Sequence, residues 1–275
     1  GVPDPAELDR VLCERTTARP GSLVLTTPDN PTGTVADEEL VRAVCAVARE
    51  HDLTIISDEI YSDLTHPSAP PTVSPARIAP ERTVVTTGLS KNLALGGWRI
   101  GVATLPATLA SSLLPALLGI GSEVWSAMPT PMQEVAARAF REPPDLSERV
   151  AAARRLHNAV ANALHAVLVE AGARCRAPQG GFYLYPDFEP HRTALGTRGI
   201  TGSETLASAL LDRGVGVLPG RAFGDDEHAL TFRAAPSLLY GDTEERRPTA
   251  PTAGRPAQPA GRSRPGSRRR RRVRP

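Results

Sequence analysis

The sequence predicts an α/β fold built on a largely parallel sheet. Short β-rich runs alternate with amphipathic helical stretches between residues 23 and 105. Those runs are near-continuously apolar, as strands of a parallel sheet are. Polar clusters follow where they end: Asp29-Asn30-Pro31-Thr32-Gly33, Ser57-Asp58-Glu59-Ile60-Tyr61 and Gly88-Leu89-Ser90-Lys91. In open α/β sheets, ligands bind outside the carboxyl ends of the strands.

Residues 23–28 (LVLTTP) read as a strand stopped by proline. Residues 36–52 read as an amphipathic helix, with apolar Leu40, Val41, Val44 and Val47 and an acidic first turn. Residues 53–58 (LTIISD) form an apolar run of the kind buried on both faces. Residues 83–88 and 99–105 supply two further strands. From 106 to 172 the pattern is mostly helical, ending in a long helix over 145–172 with Gly172 as its stop. Strands over 180–188, 215–220 and 229–236, with a helix near 203–213, predict a smaller α+β domain. The expected division is 1–144, 145–245, and a tail over 246–275.

Charge separates the tail from the rest. Residues 246–275 carry 11 arginines and no acid, against 21 basic and 30 acidic residues in 1–245. The tail is rich in Pro, Gly, Ser and Arg and has too little apolar surface to offset its ordering entropy, so disorder is expected. Its arginine run is compatible with nucleic acid, but the composition favours an unconstrained extension, and a nucleic-acid role is not expected. The apolar runs look too short and broken for a membrane span. The N-terminal residues lack a signal-peptide pattern. Cys13, Cys45 and Cys175 are widely spaced and odd in number, which fits a reducing cytoplasm better than a disulfide framework. The six histidines have no metal-ligand spacing, and no metal is expected.

Among 32 basic residues, Lys91 is the sole lysine. A chain that uses arginine elsewhere keeps an amine at one strand end. An amine condenses reversibly with an aldehyde, and a guanidinium does not. Taken singly, Asp58 reads as a helix cap, Tyr61 as core, Arg233 as half of a surface ion pair and Lys91 as a surface residue. Trp98 reads as core or as part of the lysine turn. The aromatic residues Phe182, Tyr183 and Tyr185 read as a small-domain strand, with lining of a pocket by one of them as the alternative.

Taken together, the motifs PDNPTG (28–33), SDEIY (57–61), SKNLALGGWRIG (90–101), VLPGRAFG (217–224) and LTFRAAPS (230–237) resemble the class I/II aminotransferases. These are fold-type I enzymes dependent on pyridoxal 5'-phosphate (PLP). The resemblance covers about residues 20–240. It implies a large PLP-binding domain followed by a small C-terminal one. It implies that Lys91 forms an internal aldimine with PLP and then moves the Cα proton. Asp58 would pair with the pyridinium nitrogen and Tyr61 with the ring 3'-oxygen. Asn30 would contact that oxygen and the substrate carboxylate. Arg99 and Ser90 would hold the phosphate, and Arg233 the substrate α-carboxylate. The implied partners are an amino acid and a 2-oxo acid, with a homodimer in intact relatives.

Two departures follow. Gly88 stands where the family often has a hydroxyl residue contacting the phosphate. About 22 residues precede Leu23, where family members have well over a hundred, including the glycine-rich phosphate loop and a ring-stacking aromatic. The expectation is a partial large domain with weak or no activity. A carbon–sulfur β-lyase shares the same residues and stays open as an alternative. So does a non-catalytic regulatory domain, although the helix-turn-helix it needs is not seen.

Overall fold

The computed structural model describes residues 2–14, 21–124 and 126–240. The basic tail and the end of the expected small domain lie outside the described residues.

The first element is a helix the sequence reading did not anticipate, α1 (Pro5–Glu14). Its signal was local. Asp4 accepts from the backbone N–H groups of Ala6 and Glu7, and Pro5 opens the first turn. The sheet then builds in chain order from β1 (Ser22–Thr26), β2 (Thr54–Asp58), β3 (Thr83–Gly88) and β4 (Gly101–Thr104). β1 and β3 flank β2 in parallel; β4 pairs with β3 antiparallel. The sheet is thus mostly parallel, as expected. The fourth strand runs the other way because the short Leu89–Ile100 connection returns the chain alongside β3, with the Leu89 N–H donating to the Ile100 carbonyl.

Helix α2 (Glu38–Glu50) connects β1 to β2, and the short α3 (Pro75–Ile78) precedes β3. Asp37 caps α2 by accepting from Leu40 N–H at 2.9 Å. Val41, Val44, Cys45 and Ala48 of α2 are fully buried against Leu25, Leu53 and Ile55. Each such valine contributes roughly 1.5–3 kcal/mol of burial. The other sheet face differs from expectation. β2 alternates, with Ile55 and Ser57 buried and Ile56 only half-buried. Val24 of β1 is 62% exposed, and all four residues of β4 are exposed. Among the described residues, little covers that face.

Helices α4 (Ala107–Val124), α5 (Thr130–Ala139) and α6 (Pro144–Glu170) follow. α4 is a longer continuous apolar helix than the sequence pattern suggests. Despite Pro115, it is 18 residues long with mean hydropathy 1.3, enough in length and composition to cross a membrane, and almost none of it is buried. Leu89 and Ile100 pack with Ala139, Met128 and Met132 in a separate small core.

The C-terminal region holds α7 (Arg192–Gly196), α8 (Ser203–Leu211) and a two-stranded antiparallel sheet, β5 (Leu218–Pro219) with β6 (Phe232–Arg233). Leu168, Leu184, Leu206, Leu230 and Phe232 form its core. The strand expected over 180–188 is reduced to isolated bridges, Leu184 to Ala234 and Asp187 to Thr231. Gly181 at φ +64° and Pro186 break its regularity.

Candidate functional site

The carboxyl ends of β1, β2 and β3 carry the three polar clusters to one edge of the sheet. Asp58 is the last residue of β2, in register with Thr26 of β1 and Thr86 of β3. It is half-buried, and its Oδ1 accepts from Ile60 N–H at 3.2 Å, so it shapes the turn that follows. That turn places Tyr61 in the interior, 4% exposed. The Tyr61 phenol approaches the Tyr183 hydroxyl at 3.3 Å. Burial, then the Tyr183 contact, push its pKa well above the usual phenol value, so it stays a neutral hydroxyl.

Ser90 and Lys91 lie two and three residues past β3, both half-buried. The Lys91 Nζ sits 5.7 Å from the Tyr61 ring centre and 5.9 Å from that of Phe182, within cation–π range. The sole lysine is thereby set among aromatic rings beside the end of the sheet. Arg99 adopts the left-handed conformation at φ +55° and is exposed, and it donates to the Gly96 carbonyl at 3.0 Å. Trp98 is 46% exposed, so it belongs to the lysine turn and not to the core. At Gly88 a Cβ would stand 2.7 Å from the Ile100 carbonyl oxygen. The close return of the chain after the lysine turn therefore accounts for glycine there.

The loop after β1 is locked onto the 178–184 segment. Gly33 has φ +68°, and a Cβ there would lie 2.7 Å from the Tyr183 carbonyl oxygen. Its own carbonyl accepts from Gln179 and Gly180 N–H, while the Gln179 side chain accepts from Val35 N–H. Buried His66 lies between the Pro178 and Gly181 carbonyls, at 3.2 and 3.1 Å. Burial lowers its pKa. His66 and Gln179 were not legible in the sequence; only the paired glycines 180 and 181 hinted at a close approach.

This docking brings Arg233 of β6 to Asn30. The guanidinium donates to Asn30 Oδ1 at 2.8 Å across 203 positions of sequence. It lies 4.3 Å from the Tyr183 ring centre and 5.0 Å from that of Phe223. Its Nε is buried with no partner among the described residues. The ion-pair reading of Arg233 is thus replaced by a hydrogen bond to the Asn30 amide oxygen and two ring faces. Tyr183, expected chiefly as a strand residue, touches both Tyr61 and Arg233. Phe223 went unnoticed because its role depends wholly on where β6 lies.

An amine, a carboxylate, a buried phenol, an amide and a ring-stacked guanidinium now share one sheet edge. Their chemistry fits the ring and amine end of PLP. Ser90 and the exposed Arg99, which the resemblance assigns to the phosphate, both lie on the connection between β3 and β4. A cavity of about 380 Å³, lined by Glu59, Asp63, Thr87, Asn92 and Arg154, adjoins the lysine turn, but Asp58, Tyr61 and Lys91 do not line it.

Comparison with known proteins gives a consistent result. The family model described as aminotransferase class I and II matches residues 3–235. A probable aspartate/prephenate aminotransferase of Thermus aquaticus is 32% identical over 82% of this chain and 55% of its own length. The aspartate aminotransferase of Bacillus subtilis is 31% identical over 86% of this chain and 58% of its own length. Among solved structures, the Thermus thermophilus aspartate aminotransferase with maleate superposes at TM-score 0.73 with 30% identity, over 91% of this chain and 59% of that one. An aromatic aminotransferase from Pyrococcus horikoshii gives TM-score 0.73 at 25% identity. The chain therefore spans little more than half the length of the curated relatives it matches, and within that span it belongs to the class I and II aminotransferase family.

Proposed function

We propose that the site serves PLP-dependent transfer of an amino group from an amino acid to a 2-oxo acid. The observation that carries this reading is the Arg233–Asn30 hydrogen bond. It joins a carboxylate-binding group to the loop beside Asp58 and the lysine turn, and no local sequence rule requires that contact.

PLP, when bound, supplies an aldehyde that condenses with amines and a ring that takes up the electron pair released at Cα. Lys91 provides the amine that anchors the cofactor and then carries the proton to and from the substrate Cα. The Asp58 carboxylate holds the proton on the ring nitrogen. Tyr61, kept neutral by burial, would turn its hydroxyl hydrogen from Tyr183 to the ring oxygen. Asn30 presents its amide N–H to that oxygen while its carbonyl accepts from Arg233. Arg233, its plane set by Tyr183 and Phe223, grips the α-carboxylate through its fork of N–H groups. Ser90 and Arg99 hold the phosphate.

We further infer a division near residue 144 between a PLP-binding part and a C-terminal part, a homodimeric whole enzyme and a cytoplasmic location. The three free cysteines support the last. Turnover by this chain alone is expected to be weak. The chain covers little more than half of its relatives' length, and the helix N-terminus that the resemblance assigns to the phosphate is not among the residues it matches here.

The test is a PLP titration followed by borohydride trapping and peptide mapping. The expected adduct is on Lys91 and is lost in Lys91→Ala, while Asp58→Asn keeps the adduct and removes any turnover. A folded wild-type chain that takes up no label at Lys91 sinks the reading. Formation of 2-oxo acid with pyridoxamine phosphate separates transamination from β-elimination.

A further inference from the structure

Helix α1 and the end of α2 bring together three metal-ligating side chains that sequence spacing does not connect. Asp9 and Cys13 lie four residues apart on α1 and so share one face. His51 closes the C-terminus of α2. Its Nε2 stands 2.6 Å from Asp9 Oδ1, and Cys13 Sγ lies 3.9 Å from the same oxygen. One donor atom from each residue falls within 4.8 Å of the other two.

The donor set is a thiol, an imidazole and a carboxylate. That combination suits a borderline-soft dication such as Zn²⁺ and not Mg²⁺ or Ca²⁺, which prefer oxygen alone. The Glu50 and Glu14 carboxylates lie within electrostatic range of Cys13, which favours a cation there. Arg10, the nearby opposing charge on α1, is already paired with Glu7 and Glu14. The cluster is reachable from solvent: Cys13 is exposed, and the Asp9 side chain is 43% exposed.

The helix that carries two of these donors needs attachment. α1 has ten residues and buries none of them fully. A helix of that length is marginal alone. Val2 and Leu12 touch the margin of the core, and the Asp9–His51 bond is its polar link to α2.

We propose that Asp9, Cys13 and His51 form a three-ligand site for a zinc-class divalent cation, with water in the fourth position, that staples α1 to α2. On binding, the Cys13 thiol releases its proton to solvent. The His51 ring, whose Nε2–H faces the Asp9 carboxylate before binding, moves that hydrogen through solvent to Nδ1 and offers the freed Nε2 lone pair. The Asp9–His51 hydrogen bond gives way to two bonds to the metal, and nothing is oxidised or reduced. The site shares no residue with the proposed cofactor site, so the two stand or fall separately.

The test uses the full chain, stripped with chelator and titrated with Co²⁺ alone in the absence of PLP. The expected result is a near-ultraviolet thiolate-to-cobalt band that saturates at one equivalent and is displaced by Zn²⁺. Cys13→Ser abolishes the band, and Cys175→Ser leaves it intact. Loss of a ligating residue should weaken Zn²⁺ by at least roughly tenfold, since loss of a mere outer partner costs that much. Zn²⁺ should also slow amide exchange in α1. Circular dichroism of Cys13→Ser, an exposed conservative change, checks folding. A folded wild-type chain with no saturable band overturns the site, as does a band that survives Cys13→Ser. A saturating band with unchanged exchange in α1 overturns the staple.

Discussion

Helices α2 and α4 are both rich in apolar residues, yet they meet opposite fates. α2 confines its apolar residues to one stripe, and Val41, Val44, Cys45 and Ala48 are fully buried on the sheet. α4 is apolar nearly all round. Leu118, Ile120 and Val124 are 65%, 56% and 69% exposed. The sheet shows the same asymmetry, with Leu25 and Ile55 buried and Val24 and β4 open. A stripe needs one partner, and β1 and β2 supply it. An all-round apolar helix needs several, and the described residues provide few. Hydrophobic composition alone therefore does not place a residue in the core.

The largest effect expected from this contrast is at Val44. Val44→Asp puts an unpaired charge in the dry α2–sheet contact and should cost more than about 4 kcal/mol, or prevent folding. Leu118→Asp on α4 should shift urea-denaturation stability by no more than about 0.5 kcal/mol. Equal losses at the two sites would end the contrast.

A core truncation sharpens it. Leu53→Ala should cost roughly 2–5 kcal/mol, and Val24→Ala on the open face about 0.5 or less. The denaturation midpoints of the two variants measure the gap.

The next effect depends on pH. His157 on α6 contacts the Tyr240 hydroxyl and packs 5.1 Å from Phe182. Burial, with a smaller push from His66, lowers its pKa to about 4 from an ordinary value near 6.5. Between those values the unfolded chain holds a proton that the folded chain lacks. Stability should therefore fall as pH drops from about 6.5 to about 4, and level off below. His157→Leu should flatten that slope; an unchanged slope would assign it to other groups.

Smaller still is Asp37→Ala, which removes the α2 cap and should cost about 1 kcal/mol. Last, Leu118→Lys with Ile120→Lys should reduce self-association in sedimentation at little cost in stability. Unchanged association would mean that the exposed face is not the sticky one.

Much of this was legible from the residues. Strand and helix positions followed from periodicity, because burial on one face writes a pattern into local sequence. The placement of Asp58, Tyr61 and Lys91 at one end of the sheet was legible because each lies at or just beyond a strand's end. The helix at 5–14 was missed although Asp4 and Pro5 announce it. The irregular 180–188 segment was misread because its aromatic residues have strand propensity while Gly181 and Pro186 break the ladder. The span-like length of α4 was missed because Pro115, Gly119 and Gly121 disguise a continuous helix.

By itself, the sequence determined the α/β class, the order of the elements and the presence of one amine among guanidinium side chains. These rest on near-neighbour rules and on the chemistry of single residues. Tertiary structure alone decided that Arg233 meets Asn30, that Tyr183 stands between Tyr61 and Arg233, and that Asp9, Cys13 and His51 converge. Those contacts span tens to hundreds of positions. They exist because packed cores and docked loops fix where distant segments lie, and no local pattern encodes that distance.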